Sequence, residues 1–263
     1  MGLALAAAAG LAAADPHWMV AISAIQRFQE AGGSTEPFFA DPGNFIMSGM
    51  KGAEGFPAGY RAMPTASFRS YADLKKAIES GRLPKEVKAV LWDPESWQFT
   101  PPEEQHDIAR FDKLAADLVH SRGLIFIATP ATDLTRVLSP QVKSNRYDEF
   151  VRLGIARDAA RYADIYEIQA QGSLGNLALY TRFVKAAAAQ ARAANPKVTV
   201  FAGLSTNPSG KHVTPKDLFD AVRATRGVVA GYWLNIPGGG PACPRCGVAQ
   251  PQVAVEMMKL LKR

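Results

Sequence analysis

Two rhythms of apolar and polar positions alternate along this chain. Short runs of apolar, β-branched and aromatic residues are followed by longer stretches in which apolar positions recur every third or fourth residue. From residue 60 onward the order is regular. YRAMPTA at 60–66 reads as a strand, and SYADLKKAIES at 70–80 as a helix capped by serine. KAVLWD at 88–93 is a strand. Within Pro102–Arg122, one helical face is marked by Ile108, Phe111, Leu114, Ala115 and Leu118. The pattern continues with a strand at 123–131, a helix at 147–162, a strand at 164–171 and an Ala-rich helix at 177–194. It ends with a strand at 197–205, a helix at 214–226 opened by Thr214-Pro215, a strand at 227–236 and an amphipathic helix at 252–262.

Six strand-then-helix units imply a parallel sheet with helical crossovers. Upstream, HWMVAIS at 17–23 and EPFFAD at 36–41 are expected to add two strands, with a helix over 25–31 between them. The total of eight is the count for a closed α/β (β/α)8 TIM-like barrel, which it favours over an open doubly wound sheet. The stretch 42–59, PGNFIMSGMKGAEGFPAG, is Gly-rich and does not read as a helix, so one crossover near the N-terminus is expected to be irregular. No linker composition interrupts 15–263, which reads as one barrel domain.

Strand side chains alternate faces. Leu91, Asp93 and Glu95 therefore share one face if the strand runs on to Glu95, and Glu167, Gln169 and Gln171 share another. A strand that opens apolar and closes on aligned polar groups is what a barrel mouth looks like in sequence. Other predicted strand ends add Thr129, Asp133, Ser205, Thr206, Asn207 and Asn235, and FFADPGN adds Asp41 and Asn44. Each of these has a turn or cap reading on its own, and together they exceed what capping requires. Trp92, Trp97, Tyr166, Tyr232 and Trp233 lie near the same ends, as platforms for sugar faces or as core packing. The candidate catalytic groups are Glu95, Asp93 and Glu167. The candidate ligand contacts are Trp92, Trp97, Gln169, Gln171, Thr129, Asn207, Trp233 and Asn235.

Many chemistries have no foothold here. The chain has no phosphate loop, dinucleotide fingerprint or nucleophile elbow. Its four histidines (His17, His106, His120 and His212) form no H-x-H or H-x-x-x-H pair, so neither a metal nor a cofactor is expected. No lysine falls at the C-terminal end of a predicted strand (Lys88 and Lys197 stand at strand starts), which ranks a Schiff-base lyase low. What remains is carboxylate and amide chemistry. Two neighbouring acids in unlike surroundings have separated pKa values, and one can donate a proton while the other stabilises charge.

Composition narrows the picture a little. With 263 residues, 48% hydrophobic and 21% charged, the chain is of ordinary globular type. The net charge of +6 comes from scattered residues, and Arg182, Lys185, Arg192 and Lys197 along one predicted helix read as a solvated face. There is no basic stripe with interleaved aromatics for nucleic acid and no span for a membrane. Residues 1–14 are small and apolar and end in Ala12-Ala13-Ala14, like a secretory signal peptide without its basic opening segment; a loose Ala-rich helix is the other reading. The only cysteines, Cys243 and Cys246, cannot complete a zinc site. In an exported protein they are expected to form a local disulfide. A thioredoxin-like pair would open a helix after a strand, whereas this one lies in GGGPACPRCG.

At this point the layout resembles the chitinase-like glycoside hydrolase barrels. In that family a D-x-E ends the fourth strand, polar residues end the sixth, and a Trp lies on the eighth; here D-P-E (Asp93, Glu95), E-I-Q-A-Q (Glu167, Gln169, Gln171) and Trp233 take those places. The resemblance implies Glu95 as proton donor, Asp93 as its partner, and Gln169 or Gln171 as sugar contacts. The chain departs from the family upstream of the acids, where it reads AVLW. It also carries Pro94 between the acids and lacks the sixth strand's Tyr-Asp. The expected function is an exported barrel that hydrolyses a small-molecule or glycan-type ligand by carboxylate acid/base chemistry. The alternative is a non-catalytic ligand-binding protein on the same scaffold.

Overall fold

Eight parallel strands pair in chain order and close into a barrel. The computed structural model describes residues 15–141 and 144–262, so the signal-like segment 1–14 lies outside the described residues. The strands are β1 (His17–Ala21), β2 (Phe45–Met47), β3 (Met63–Phe68), β4 (Ala89–Trp92), β5 (Ile125–Ala128), β6 (Ile165–Ile168), β7 (Thr199–Ser205) and β8 (Gly231–Asn235). The seam between β8 and β1 runs from His17 opposite Gly231 to Val20 opposite Leu234.

Side-chain parity divides the apolar residues into two cores. Met19, Phe45, Met47, Ala89, Leu91, Ile127, Ile165 and Phe201 fill the lumen. Their neighbours in sequence, among them Val20, Ile46, Val90, Trp92, Phe126, Tyr166 and Val200, point outward and pack beneath the helices. Burial on both faces explains why the strands read as nearly continuous apolar runs.

Between the strands lie α1 (Ile22–Glu30), α2 (Glu36–Phe39), α3 (Tyr71–Glu79), α4 (Pro102–His106), α5 (Ile108–His120), α6 (Thr135–Leu138), α7 (Arg146–Leu153), α8 (Ile155–Ala160), α9 (Leu177–Ala194), α10 (Pro215–Thr225) and α11 (Pro251–Leu261). Ser70 caps α3 through the Asp73 amide, and Thr214 forms a capping box with Asp217. The single helix expected at 147–162 is broken at Gly154, which adopts φ 72° and separates α7 from α8.

The second strand is a correction. EPFFAD at 36–41 forms the short helix α2, with Pro37 in its first turn, a position that suits proline because no amide hydrogen is needed there. The strand is instead the FIM of β2, inside the Gly-rich stretch. The crossover from β2 to β3 carries only a 3-10 turn at Gly49–Lys51, which is the irregular crossover expected near the N-terminus. Asp41 and Asn44 therefore sit at the opposite end from the mouth. Asp41 lies 3.0 Å from His17 Nδ1 at the start of β1, and buried Asn44 accepts from the Trp18 amide and donates to the carbonyls of Pro37 and Phe38. Among the described residues no helix is long and apolar enough to cross a membrane. Cys243 and Cys246 form the expected disulfide, with their Cα atoms 5.4 Å apart.

Closure rests on one glycine. A methyl group at Gly231 would overlap the His17 carbonyl and stand 2.5 Å from the Phe201 ring. Gly231→Ala is expected to cost at least about 2 kcal/mol by overpacking. For a chain of this size that lowers Tm by roughly 4–8 °C, measurable by scanning calorimetry. An unchanged Tm would show that the seam can relax.

Candidate active site

The site is built where β4, β5 and β6 end. The Asp93 amide donates to Phe68 O at 2.8 Å, which continues the β3–β4 ladder one residue beyond the strand and keeps Asp93 on the lumen face with Leu91. Gln169 Nε2 then donates to Asp93 Oδ1 at 2.7 Å and to the Thr129 carbonyl at 2.9 Å. The Thr129 hydroxyl lies 3.1 Å from both Asp93 Oδ1 and Trp92 O, with one proton to share between them. Gln171 Nε2 donates to Gln169 Oε1 at 3.3 Å, which fixes the orientation of the Gln169 amide.

Glu95 is placed by the loop after β4. Its amide and the Trp97 indole both donate to Thr100 Oγ1, at 3.2 and 2.9 Å, and the Thr100 hydroxyl donates to Arg69 O at 2.8 Å. Gln105 Nε2 reaches the carbonyls of Trp97 and Thr100, and the Ser96 amide donates to Asp133 Oδ1 at 3.0 Å. The Arg69 guanidinium stacks over the rings of Trp97 and Phe99 at 5.1 and 4.9 Å.

Burial sets the charges. Desolvation pushes the Asp93 carboxyl up to about 6, while Thr129, Arg69 and Gln169 hold it down from going further. Glu95 is pushed up to about 9, first by burial and then by the charges of Asp93 and Asp133, with Arg69 opposing. Glu167 is fully buried, and burial plus the Asp93 charge raise it well above the carboxylate range. Among the described residues neither of its oxygens has a hydrogen-bond partner. At neutral pH the cluster therefore holds one anion, Asp93, between two neutral carboxyls. Gly203 on β7 makes room for it, since a Cβ there would lie 2.9 Å from Glu167 Oε1 and overlap Gln171.

Above this cluster opens a polar cavity of about 180 Å³, lined among others by Glu95, Asp133, Arg146, Gln169, Gln171 and Asn235, with the disulfide loop on one side. Four of the expected site residues thus line one cavity: Glu95, Gln169, Gln171 and Asn235. Asp93 and fully buried Thr129 stand behind them. Trp233 is half-buried on top of the lumen core and does not line the cavity.

Four expectations change. Trp92 is fully buried on the outer face of β4, one residue out of phase with Asp93, and cannot meet a ligand. Trp97 spends its indole N–H on Thr100 and its ring on Arg69 and Phe99, so it braces the loop. Asn207 is buried, and its Nδ2 donates to the carbonyls of Cys246 and Val248, pinning the disulfide loop. Glu167 lies beneath the cavity wall and acts on the site only through its neighbours. Two basic residues were missed. Arg69 could have been found by parity, two residues beyond Ser67 at the end of β3. Arg146 opens α7, a position that no periodicity marks. Among the described residues no group of three or more His, Cys, Asp or Glu is placed to hold a metal ion.

No family model matches the chain, and no curated protein matches it in sequence. The expected likeness to glycoside hydrolase barrels is found among solved structures. The chain is similar to a chitinase from Chromobacterium violaceum at 11% identity and TM-score 0.48, covering 95% of this chain and 100% of that one. It is similar to a GH128 curdlan-specific exo-beta-1,3-glucanase from Blastomyces gilchristii at 13% identity and TM-score 0.47, covering 92% and 97%. Triosephosphate isomerase from Bartonella henselae is similar to the same degree, at 13% identity and TM-score 0.47, covering 94% and 99%. Likeness at this level concerns the barrel, and the chemistry has to be read from the chain's own residues.

The raised carboxyls give a pH dependence with a definite sign. Between about pH 4.5 and 9 folded Glu95 keeps a proton that the unfolded chain has lost, and Asp93 does so between about 4 and 6. The folded state binds more protons, so stability falls as pH rises across this window. Glu149, held at about 2 by Arg152, acts in the opposite direction but only below pH 4.5. Thermal scans from pH 5 to 9 are expected to show a falling Tm, with the alkaline half of the slope flattened in Glu95→Gln. An identical slope in that variant would remove Glu95 as its source.

Proposed function

We propose that this protein hydrolyses a glycosidic bond, with Glu95 as the proton donor and Asp93 as the ionised partner beneath it. The observation that carries this reading is the splitting of two acids two residues apart. Asp93 is anionic near neutrality because Gln169 and Thr129 serve it, while Glu95 keeps its proton to about pH 9 at the cavity wall. Glu95 gives its proton to the bridging oxygen. The bond from that oxygen to the anomeric carbon breaks, and its electron pair stays on the oxygen. The positive charge left on the sugar is offset by the Asp93 carboxylate. A water then adds to the anomeric carbon and returns a proton to Glu95. The amides of Gln169, Gln171 and Asn235 supply donors and acceptors for sugar hydroxyls. Export fits the local disulfide, which persists in oxidising compartments.

The test is turnover of aryl glycosides and polysaccharides by the wild type and two variants. Glu95→Gln is expected to lower kcat by roughly 10²–10⁴-fold, the usual share of general acid catalysis, with the fold and ligand binding kept. Asp93→Asn is expected to lower kcat and move the pH profile. The wild-type profile is a bell with apparent values near 6 and 9 that belong to the pair. Retained turnover in Glu95→Gln sinks the assignment, and ligand binding without turnover in the wild type leaves a binding barrel.

A further inference from the structure

The cavity at Glu95 does not end at its own wall. It shares Arg146, Gly172, Pro208 and Ser209 with a second groove of about 490 Å³ that runs over the start of α9. The charge along this path changes sign, with Arg146 lining both parts. Glu95 and Asp133 stand at the first end, and Arg146, Lys211 and Arg245 line the second. No Asp or Glu lines the second groove, and among the described residues none of the three cations has a carboxylate partner. Elsewhere on this protein Lys and Arg commonly do pair, as in Arg182 with Asp148 and Lys216 with Asp220.

Arg146 is held by side-chain contacts, while Lys211 and Arg245 are exposed on positioned backbone. Arg146 is half-buried, its guanidinium lies 4.9 Å over the Tyr147 ring, and its Nη2 donates to the Tyr147 hydroxyl at 2.8 Å. Among the described residues the remaining N–H groups of that fork have no hydrogen-bond partner. Gly172 lets the guanidinium lie close to the backbone, since a Cβ there would displace Arg146 and stand 2.7 Å from Tyr147 Oη. Lys211 Nζ reaches the Gly172 carbonyl at 3.5 Å, so two cations converge on one backbone position. Arg245 lies between the two cysteines of the disulfide. Its carbonyl fills the space over Gly210, and Asn207 holds the next residue's carbonyl at 2.9 Å. An arginine fork and a lysine ammonium with no carboxylate partner among the described residues are a receptor for an oxyanion.

We propose that the substrate is an anionic glycan, with a carboxylate- or sulfate-bearing sugar seated against Arg146, Lys211 and Arg245 while its neighbouring glycosidic bond lies at Glu95. This rests on the glycosidase reading above and adds the substrate class to it. The net charge of +6 draws such a substrate in.

The experiment uses the full chain carrying Glu95→Gln, so that binding is read without turnover, and calorimetry with size-matched oligosaccharides that are neutral, uronate-containing or sulfated. One anionic class is expected to bind at least about tenfold more tightly than the neutral one, the scale of one charge-assisted hydrogen bond. That preference is expected to fall about tenfold with Arg146→Gln or with Lys211→Gln plus Arg245→Gln, and to shrink when salt is raised from about 50 to about 500 mM. Lys211 and Arg245 are exposed, so the second variant tests the idea even if the first does not fold. Equal affinity for neutral and anionic oligosaccharides overturns the anionic subsite and leaves the glycosidase reading standing. So does an anionic preference that survives both sets of substitutions, or inorganic sulfate binding as tightly as the sulfated sugar. Preferential binding that depends on the cations, with no cleavage by the wild type, supports the subsite and overturns the hydrolase.

Discussion

The Gln169 amide is the constraint on which the site depends. Its nitrogen spans from β6 to the Asp93 carboxylate after β4 and to the Thr129 carbonyl after β5, and its oxygen accepts from Gln171. These bonds fix which end of the amide is the donor, and a donor facing Asp93 favours the carboxylate form. Burial alone would neutralise Asp93. Thr129, the Arg69 charge and Gln169 hold it near 6, so that it carries charge at neutral pH. That charge in turn raises both Glu95 and Glu167. Turning the Gln169 amide over would set an oxygen against Asp93 and oppose its ionisation, leaving Thr129 and Arg69 to favour the charge.

A second network decides where the proton is presented. Thr100 uses its whole capacity, accepting from Glu95 N and Trp97 Nε1 and donating to Arg69 O. Glu104, in the same segment, caps the start of α3 through the amides of Tyr71 and Ala72 and the hydroxyl of Ser70. The loop after β4 is thereby locked to the end of β3 on two sides. A general acid gains from such fixation, because proton transfer requires a donor already within hydrogen-bonding reach. Trp97 of WDPESW, which suggests a sugar platform when read in sequence, serves this bracing, while Trp92 packs in the outer core.

Much of this was legible in the sequence because strand parity is a hard geometric rule. It placed Asp93 with Leu91 and Glu167 with Gln169, and the pairing registers agree. The same rule, applied one residue over, would have sent Trp92 out of the mouth, since adjacent strand residues face opposite sides. The second strand was hidden because β2 is only three residues long and sits among glycines, while EPFFAD offered the stronger apolar run. Asn207 and Arg146 act through loops, where no period exists to be read. The role of Asn207 is to bind carbonyls 39 and 41 residues further along the chain, contacts that only the closed barrel creates.

Glu167 shows what the arrangement costs. A carboxyl buried in the lumen with no partner for either oxygen among the described residues is destabilising by the ordinary rules for buried polar groups. An apolar side chain at this position would continue the lumen core that Ile165 and Phe201 already form. Stability alone would favour that replacement, since a well-packed apolar group avoids the desolvation penalty. The β7 backbone is nonetheless shaped around the acid, with Gly203 leaving the space that Glu167 and Gln171 occupy. Two buried neutral acids beside one charged one, with a glycine cleared next to them, weaken the barrel at its mouth, where α/β barrels carry their chemistry. That desolvation cost falls at the ends of β4 and β6, the two strands that supply the proton donor and an amide that helps to keep its partner charged.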